Sequence, residues 1–202
     1  MNKVYYKYAT MFAGKSSELI KTYGIYKAQG KNPKVIKPAL DTRSKTIKSR
    51  IQDVELTADI LFKEDTDLYD WISMEEKENS PVDVLLIDEA QFLTPTQVDQ
   101  LMLIRYHCPV VCFGLKTDFN GNLFEGSAAL FAFADKIEEI KGICEFCNSK
   151  STMNLRTTID KNGKEIPVTS GDQIIIGDSD KYHALCYHHW NTARILRKFK
   201  KY

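Results

Sequence analysis

The sequence has almost no net charge: 28 Lys and Arg against 27 Asp and Glu leave +1 over 202 residues. That argues against a dedicated duplex-DNA binder, which carries a strong basic excess. It has no long apolar run either. The longest, residues 128–134, falls far short of the ~20 residues a membrane helix needs. No secretory hydrophobic stretch follows Met1, because Val4-Tyr5-Tyr6-Lys7-Tyr8 already alternates as a strand does. The expectation is a cytoplasmic protein that engages neither membrane nor nucleic acid. Cysteine is scarce and odd in number. The five are Cys108, Cys112, Cys144, Cys147 and Cys186, a set that suits reduced thiols or a metal better than a disulfide framework.

What is present is ordinary for a soluble globular chain, with 43% hydrophobic and 27% charged residues. At this length folding buries roughly 70% of the unfolded surface, enough for one sizeable core and a small appendage.

Residues 4–8 read as a strand and 9–16 as a loop. From Ser16 the spacing of Leu19, Ile20, Tyr23, Ile25 and Tyr26 approximates a helix, which Gly30 stops. Residues 34–37 form a second short strand closed by Pro38. Residues 39–50 are polar, basic and aperiodic, and read as a long mobile loop of a length that often carries function. Residues 82–87 are a nearly unbroken apolar run between Pro81 and Asp88, the pattern of a buried parallel strand. Thr94-Pro95-Thr96-Gln97 opens a helix, with Thr94 as N-cap, Pro95 at the first position and Gln97 completing a capping box. Residues 110–113 read as another buried strand and 127–134 as another helix.

Strands alternating with helices imply an α/β fold, a parallel sheet covered by helices. After about Gly142 the character changes. Residues 152–159, the turn Asp160-Lys161-Asn162-Gly163 and residues 164–168 make an antiparallel hairpin. Residues 194–202 are basic and read as a solvated terminal helix. The expected organisation is an α/β domain at 1–143, a small antiparallel domain at 144–190 and a basic tail at 191–202.

Ala9-Thr10-Met11-Phe12-Ala13-Gly14-Lys15-Ser16 matches G-x-x-x-x-G-K-[ST] at all but its first position. Gly14 lets the backbone close round phosphate with its N–H groups pointing inward. Lys15 supplies a cation for the β/γ-phosphates, and the Ser16 hydroxyl suits Mg²⁺. The following helix adds its positive N-terminal end. The apolar strand ending in Asp88-Glu89 is a Walker B arrangement. On it Asp88 would hold Mg²⁺ through water, while Glu89 takes the proton of an incoming hydroxyl.

Two P-loop classes are excluded. In Val111-Cys112-Phe113-Gly114-Leu115-Lys116-Thr117-Asp118, Leu115 stands where N-K-x-D needs asparagine, and Asp88 does not begin a D-x-x-G switch. A GTPase therefore fails. The chain is too short for the two motor lobes of a helicase. Phosphoryl transfer to a small substrate remains. The competing class is a non-enzymatic nucleotide-binding module whose zinc hairpin and basic tail contact nucleic acid.

Cys144-x-x-Cys147 and Cys186-x-x-His189 are paired knuckles with chelating spacing, together a Cys₃His set for structural Zn²⁺. His188 fits the spacing less well than His189. His183 and His107 are not expected to ligate, and Cys108 and Cys112 read as core thiols.

With these pieces in place the sequence resembles the type II thymidine kinase family, the group that includes the human cytosolic enzyme. The resemblance rests on residues 11–16, Lys37-Pro38-Ala39-Leu40-Asp41-Thr42-Arg43, Ile87-Asp88-Glu89-Ala90-Gln91-Phe92, residues 113–119, residues 134–141 and Asp180-Lys181-Tyr182-His183, in colinear order. It implies ATP-dependent phosphorylation of the thymidine 5′-hydroxyl in nucleotide salvage for DNA synthesis, a homotetramer, feedback inhibition by thymidine triphosphate, and a zinc-anchored lasso folding over the nucleoside. It implies Glu89 as catalytic base. The ATP side is then Ala9, Thr10, Met11, Phe12, Ala13, Gly14, Lys15 and Ser16 with Asp88 and Gln91, approached by Asp41 and Arg43. Met11, Phe92, Leu115 and Phe119 would form the base pocket. Tyr182 and the backbone of Gln173, Ile174, Ile175, Ile176 and Gly177 would clamp thymine. One methyl group discriminates by only about 1–3 kcal/mol, so deoxyuridine is also an expected substrate.

Overall fold

The computed structural model describes residues 1–39, 45–49, 53–173 and 181–199. The chain begins β1 (Val4–Ala9), α1 (Lys15–Ala28), β2 (Pro33–Pro38), β3 (Thr46–Ser49), β4 (Val54–Thr57), β5 (Ile60–Phe62) and α2 (Leu68–Glu78). It continues through β6 (Val84–Ile87), a 3-10 turn (Ala90–Phe92), α3 (Pro95–Ile104), β7 (Val110–Leu115), α4 (Glu125–Phe133) and β8 (Lys136–Glu139). A second set of elements follows: β9 (Gly142–Ile143), β10 (Lys150–Ser151), β11 (Met153–Ile159), β12 (Glu165–Pro167), β13 (Lys181–Leu185) and α5 (Tyr187–Leu196).

Six strands form one parallel sheet in the order β5-β2-β6-β7-β1-β8, the expected α/β architecture. β6 shows why it is covered on both faces. Leu85 and Ile87 join a core with Leu68, Ile72, Val98, Leu101, Ile104 and Leu130 from α2, α3 and α4. Val84 and Leu86 point the other way, into a core with Leu19 of α1, Val35, Val111 and Phe113. A strand buried on both faces must be apolar throughout, and each such side chain contributes roughly 1.5–3 kcal/mol by burial. The capping box is formed as expected. Thr94 Oγ1 accepts the Gln97 N–H, and Gln97 Oε1 accepts the Thr94 N–H, both at 3.1 Å.

The small antiparallel part has its own core of Cys144, Met153, Leu155, Leu185, Trp190 and Ala193. The sequence-derived hairpin is β11 paired with β12, and β13 flanks β11 on its other side. Among the described residues no helix is long and apolar enough to cross a membrane.

Three sequence readings change. The expected loop 39–50 contains β3, which pairs antiparallel with β4. Its single large apolar side chain, Ile47, is buried with Leu19, and one apolar residue in four is too little to display a period. The helix expected at 127–134 begins at Glu125 and ends at Phe133, and Lys136–Glu139 is an edge strand beside β1. The tail is not simply a solvated helix. α5 ends at Leu196, the capping Arg197 turns the chain back with a φ of 47°, and Phe199 packs on His183 and Phe146 with centroids 4.0 and 5.0 Å away.

Candidate active site

Parallel strands present their C-terminal ends on one edge, where ligands of such sheets bind. The register aligns Ala9 with Leu115 and Ile36 with Ile87. The segments leaving β1, β2, β6 and β7 therefore meet in one crevice.

The loop after β1 folds back on itself through Phe12 (φ 61°) and Gly14 (φ 91°), and Gly14 caps α1. Ala9 is the last residue of β1, 4% exposed, and its φ is not positive. The substitution for glycine therefore carries no conformational cost there. Lys15 is the first residue of α1, and its Nζ donates to the Thr10 carbonyl at 3.2 Å. Burial pushes the Lys15 ammonium below its ordinary pKa, while the charges of Glu89 and Asp88 oppose the shift.

Asp88 follows β6 and is buried. Its N–H donates to the Ile36 carbonyl, and its Oδ1 has no hydrogen-bond partner among the described residues. Burial raises its carboxyl pKa to about 7, reinforced by Glu89 and opposed by Lys15. A buried carboxylate oxygen with free lone pairs, within reach of the Lys15 charge, is the kind of donor Mg²⁺ takes. Asp88 fits the ion in its chemistry, and Ser16, which lines the cavity beside Lys15, offers a hydroxyl of the kind it also takes.

Glu89 sits at φ 49°, ψ 43°, a left-handed conformation that is costly for a non-glycine residue. Gln91 Nε2 donates to Glu89 Oε2 at 2.7 Å, and Gln91 Oε1 accepts the Leu115 N–H at 2.9 Å.

A cavity of about 530 Å³ brings these groups together. Gly14, Lys15, Ser16, Lys37, Glu89 and Gln91 line it alongside Met11, Phe92, Leu115, Phe119, Gln173 and Tyr182. Phe12 lines it as well, whereas Ala9, Thr10, Ala13 and Asp88 do not. Phe92 meets Phe124 edge-on at 5.6 Å, and the Arg156 guanidinium lies 3.8 Å over the Phe119 ring. Gln173 Nε2 donates to Asp118 Oδ2 at 3.2 Å, and Asp118 Oδ1 accepts the N–H groups of Asn120 and Asn122. Asp41, Arg43, Ile174, Ile175, Ile176 and Gly177 lie outside the described residues.

Some lining residues carried no role in the sequence reading. Lys37 was legible in principle, since it stands at the C-terminal end of a strand beside β6. Ser49 and Asn154 gave no local signal, because β3 and β11 reach the cavity only through the tertiary fold. Ser17 Oγ and Ser49 Oγ lie 2.6 Å apart, which seats the β3–β4 hairpin against α1.

Away from the cavity, Cys144, Cys147, Cys186 and His189 come together with their ligand atoms within 4.8 Å of one another. Cys144 Sγ and Cys186 Sγ lie 3.5 and 3.2 Å from His189 Nδ1, and Cys147 Sγ is 3.9 Å from Cys186 Sγ. A tetrahedral zinc with Zn–S about 2.3 Å and Zn–N about 2.0 Å requires separations of roughly 3.5–3.8 Å, so the four side chains fit the ion. The other candidates are engaged elsewhere. His107 pairs with Glu76, and His183 bridges Glu145 and Glu165. Cys108 and Cys112 are buried in the sheet core, which pushes both thiols up, Cys108 to about 12.

Comparison with known proteins agrees with this geometry. The sequence profile described as Thymidine kinase matches residues 2–190. The thymidine kinase of Zymomonas mobilis subsp. mobilis is 44% identical over 194 residues, covering 94% of this chain and 96% of that protein. That of Streptococcus pyogenes serotype M6 is 42% identical over 203 residues, covering 96% of this chain and all of the relative. The Streptococcus agalactiae serotype Ia protein is 43% identical over 196 residues, with 94% and 97% covered. A profile spanning nearly the whole chain, and relatives this similar over nearly their full lengths, lead to one conclusion: the chain belongs to the thymidine kinase family.

Proposed function

We propose that this protein transfers the γ-phosphoryl group of ATP to the 5′-hydroxyl of thymidine, and of deoxyuridine, in nucleotide salvage. One observation carries the reading. The Glu89 carboxylate and the Lys15 end of the phosphate loop line the same cavity as the apolar wall of Met11, Phe92, Leu115 and Phe119.

The division of labour follows from the chemistry. Phosphoryl transfer has a loose transition state, so positioning and charge neutralisation dominate. The loop 9–16 orients the polyphosphate through backbone N–H groups, and Lys15 meets the charge that develops on the γ-phosphoryl oxygens. Asp88 and Ser16 would hold Mg²⁺, which when bound neutralises phosphate charge. Glu89 accepts a hydrogen bond from the 5′-hydroxyl, aims it at phosphorus and takes its proton as the O–P bond forms. The apolar wall receives the base, and Tyr182 with Gln173 and the backbone of 174–177 closes over it. Asp41 and Arg43 approach the phosphates.

In this reading residues 1–143 bind nucleotide, 144–190 form the lasso domain and 191–202 the tail. The four zinc ligands leave no open position, so the metal is structural and ties together the ends of a long segment. The family resemblance further supports a homotetramer inhibited by thymidine triphosphate, while the near-zero net charge and the short apolar runs support a cytoplasmic protein with no nucleic-acid partner.

The test is incubation with ATP, Mg²⁺ and a panel of nucleosides, followed by separation of the products. Thymidine and deoxyuridine are expected to yield monophosphates. Absence of both products, with intact nucleotide binding, would refute the reading.

A further inference from the structure

The loop that the proposed function assigns to phosphate does not stand alone. Its flank is held by the small zinc-binding part of the chain. Thr10 Oγ1 and Ser151 Oγ lie 2.7 Å apart in a buried hydrogen bond, and Asn154 Oδ1 accepts the Met11 N–H at 2.8 Å. Thr10, Ser151 and Asn154 are 6%, 2% and 4% exposed. These contacts join residues more than 140 positions apart in the chain, and the Thr10–Ser151 bond is shut away from water.

Ser151 faces Gly142 across the β9–β10 pair. A side chain at Gly142 would displace the Ser151 hydroxyl. A Cβ there would lie 2.4 Å from Ser151 Oγ, 3.1 Å from Thr10 Oγ1 and 3.1 Å from Ala13 Cβ. The base of this hairpin is therefore pressed directly on the phosphate loop. Its tip is the turn 144–149, closed by the Cys144 N–H to Ser149 carbonyl bond at 2.9 Å, and it carries Cys144 and Cys147. The second pair of ligands follows β13, whose Leu185 and Ala184 pair with Met153 and Asn154 of β11. Both halves of the metal-binding set thus lead within a few residues to Ser151 and Asn154.

We infer that Gly142, Ser151 and Asn154 are positioning residues for ATP: the hairpin that carries Cys144 and Cys147 braces the phosphate loop. The Met11 N–H is satisfied by Asn154, and the Thr10 hydroxyl by Ser151. This holds the loop open in one shape before nucleotide arrives. Loss of the brace lets the loop relax, and ATP must then pay the ordering cost itself. The inference rests on the proposed assignment of loop 9–16 to ATP.

The test uses the full chain with zinc bound and measures ATP–Mg²⁺ and thymidine dissociation constants separately by calorimetry, with zinc content by elemental analysis. Ser151→Ala removes one buried hydrogen bond, and Gly142→Ala drives a methyl group into the contact. Loss of a buried bond of this kind corresponds to about fivefold in affinity. Ser151→Ala is expected to raise the ATP dissociation constant about fivefold and Gly142→Ala more. Thymidine affinity should stay within about twofold, with zinc content unchanged. Chelating zinc from the wild-type protein should weaken ATP binding in the same direction. Unchanged ATP affinity in Ser151→Ala overturns the brace, as does an equal loss of thymidine affinity. If Gly142→Ala does not fold, Ser151→Ala decides alone. A wild-type protein that binds no ATP contradicts the proposed function instead, so the two failures are distinct.

Discussion

Gln91 holds Glu89 by its carboxylate: Nε2 donates to Glu89 Oε2 at 2.7 Å, while the same amide accepts the Leu115 N–H at 2.9 Å. The proposed base is thereby aligned against the C-terminal end of β7, beside the proposed base pocket. A base acts only when it points at the proton it removes, and small misplacements cost far more in turnover than in binding. Gln91→Leu keeps the volume and deletes both bonds. It should lower kcat about tenfold or more while the KM for thymidine changes less, as steady-state kinetics at saturating ATP will show.

The three cysteines of the Cys₃His cluster belong to a core separate from those on the two faces of the large sheet. Cys147→Ser should therefore reduce zinc below one ion per chain and raise the KM for thymidine, while the far-UV circular dichroism of the α/β part persists. Elemental analysis and thymidine kinetics check both halves.

Asp88 supplies a pH signature. Burial raises its carboxyl pKa from 3.8 to about 7, so between those values the folded state binds a proton that the unfolded state releases. The resulting stabilisation is complete below about pH 4 and is lost as pH rises through about 7. Asp88→Asn removes that dependence. At pH 8 the ligand-free variant should be more stable than wild type by on the order of 4 kcal/mol, yet unable to support turnover. Thermal melts at pH 5.5 and 8 measure the difference.

Much of this was legible in the chain because the signals are local. The phosphate loop, the apolar run into Asp88-Glu89 and the Thr94-Pro95-Thr96-Gln97 cap are each written in a few consecutive residues. The paired knuckles are legible through their spacing. What was hidden depends on partners far along the chain. β3 shows one apolar residue, and its strand character comes from pairing with β4 and from Ile47 packing on α1. α2 buries only Leu68 and Ile72 in full, too few for a clear helical stripe, and gains its place by packing on α3. Ser151 and Asn154 are polar residues in short strands. Nothing nearby in sequence announces that they meet Thr10 and Met11. The backward turn at Arg197, which brings Phe199 onto His183, is likewise a product of the folded surface.

The α3 cap offers a stability test remote from the cavity. Thr94→Ala deletes the acceptor of the Gln97 N–H and one half of the capping box. It should destabilise the protein by about 1 kcal/mol and lower Tm by roughly 2–4 °C, with kcat and KM unchanged.

The most direct measurement of the central claim is the steady-state kinetics of Glu89→Gln, with ATP and thymidine affinities determined alongside. The neutral amide keeps the shape of the side chain and cannot take the proton. The account predicts a kcat lower by about 10²–10⁴ with both dissociation constants close to wild type. Turnover at the wild-type rate would contradict it.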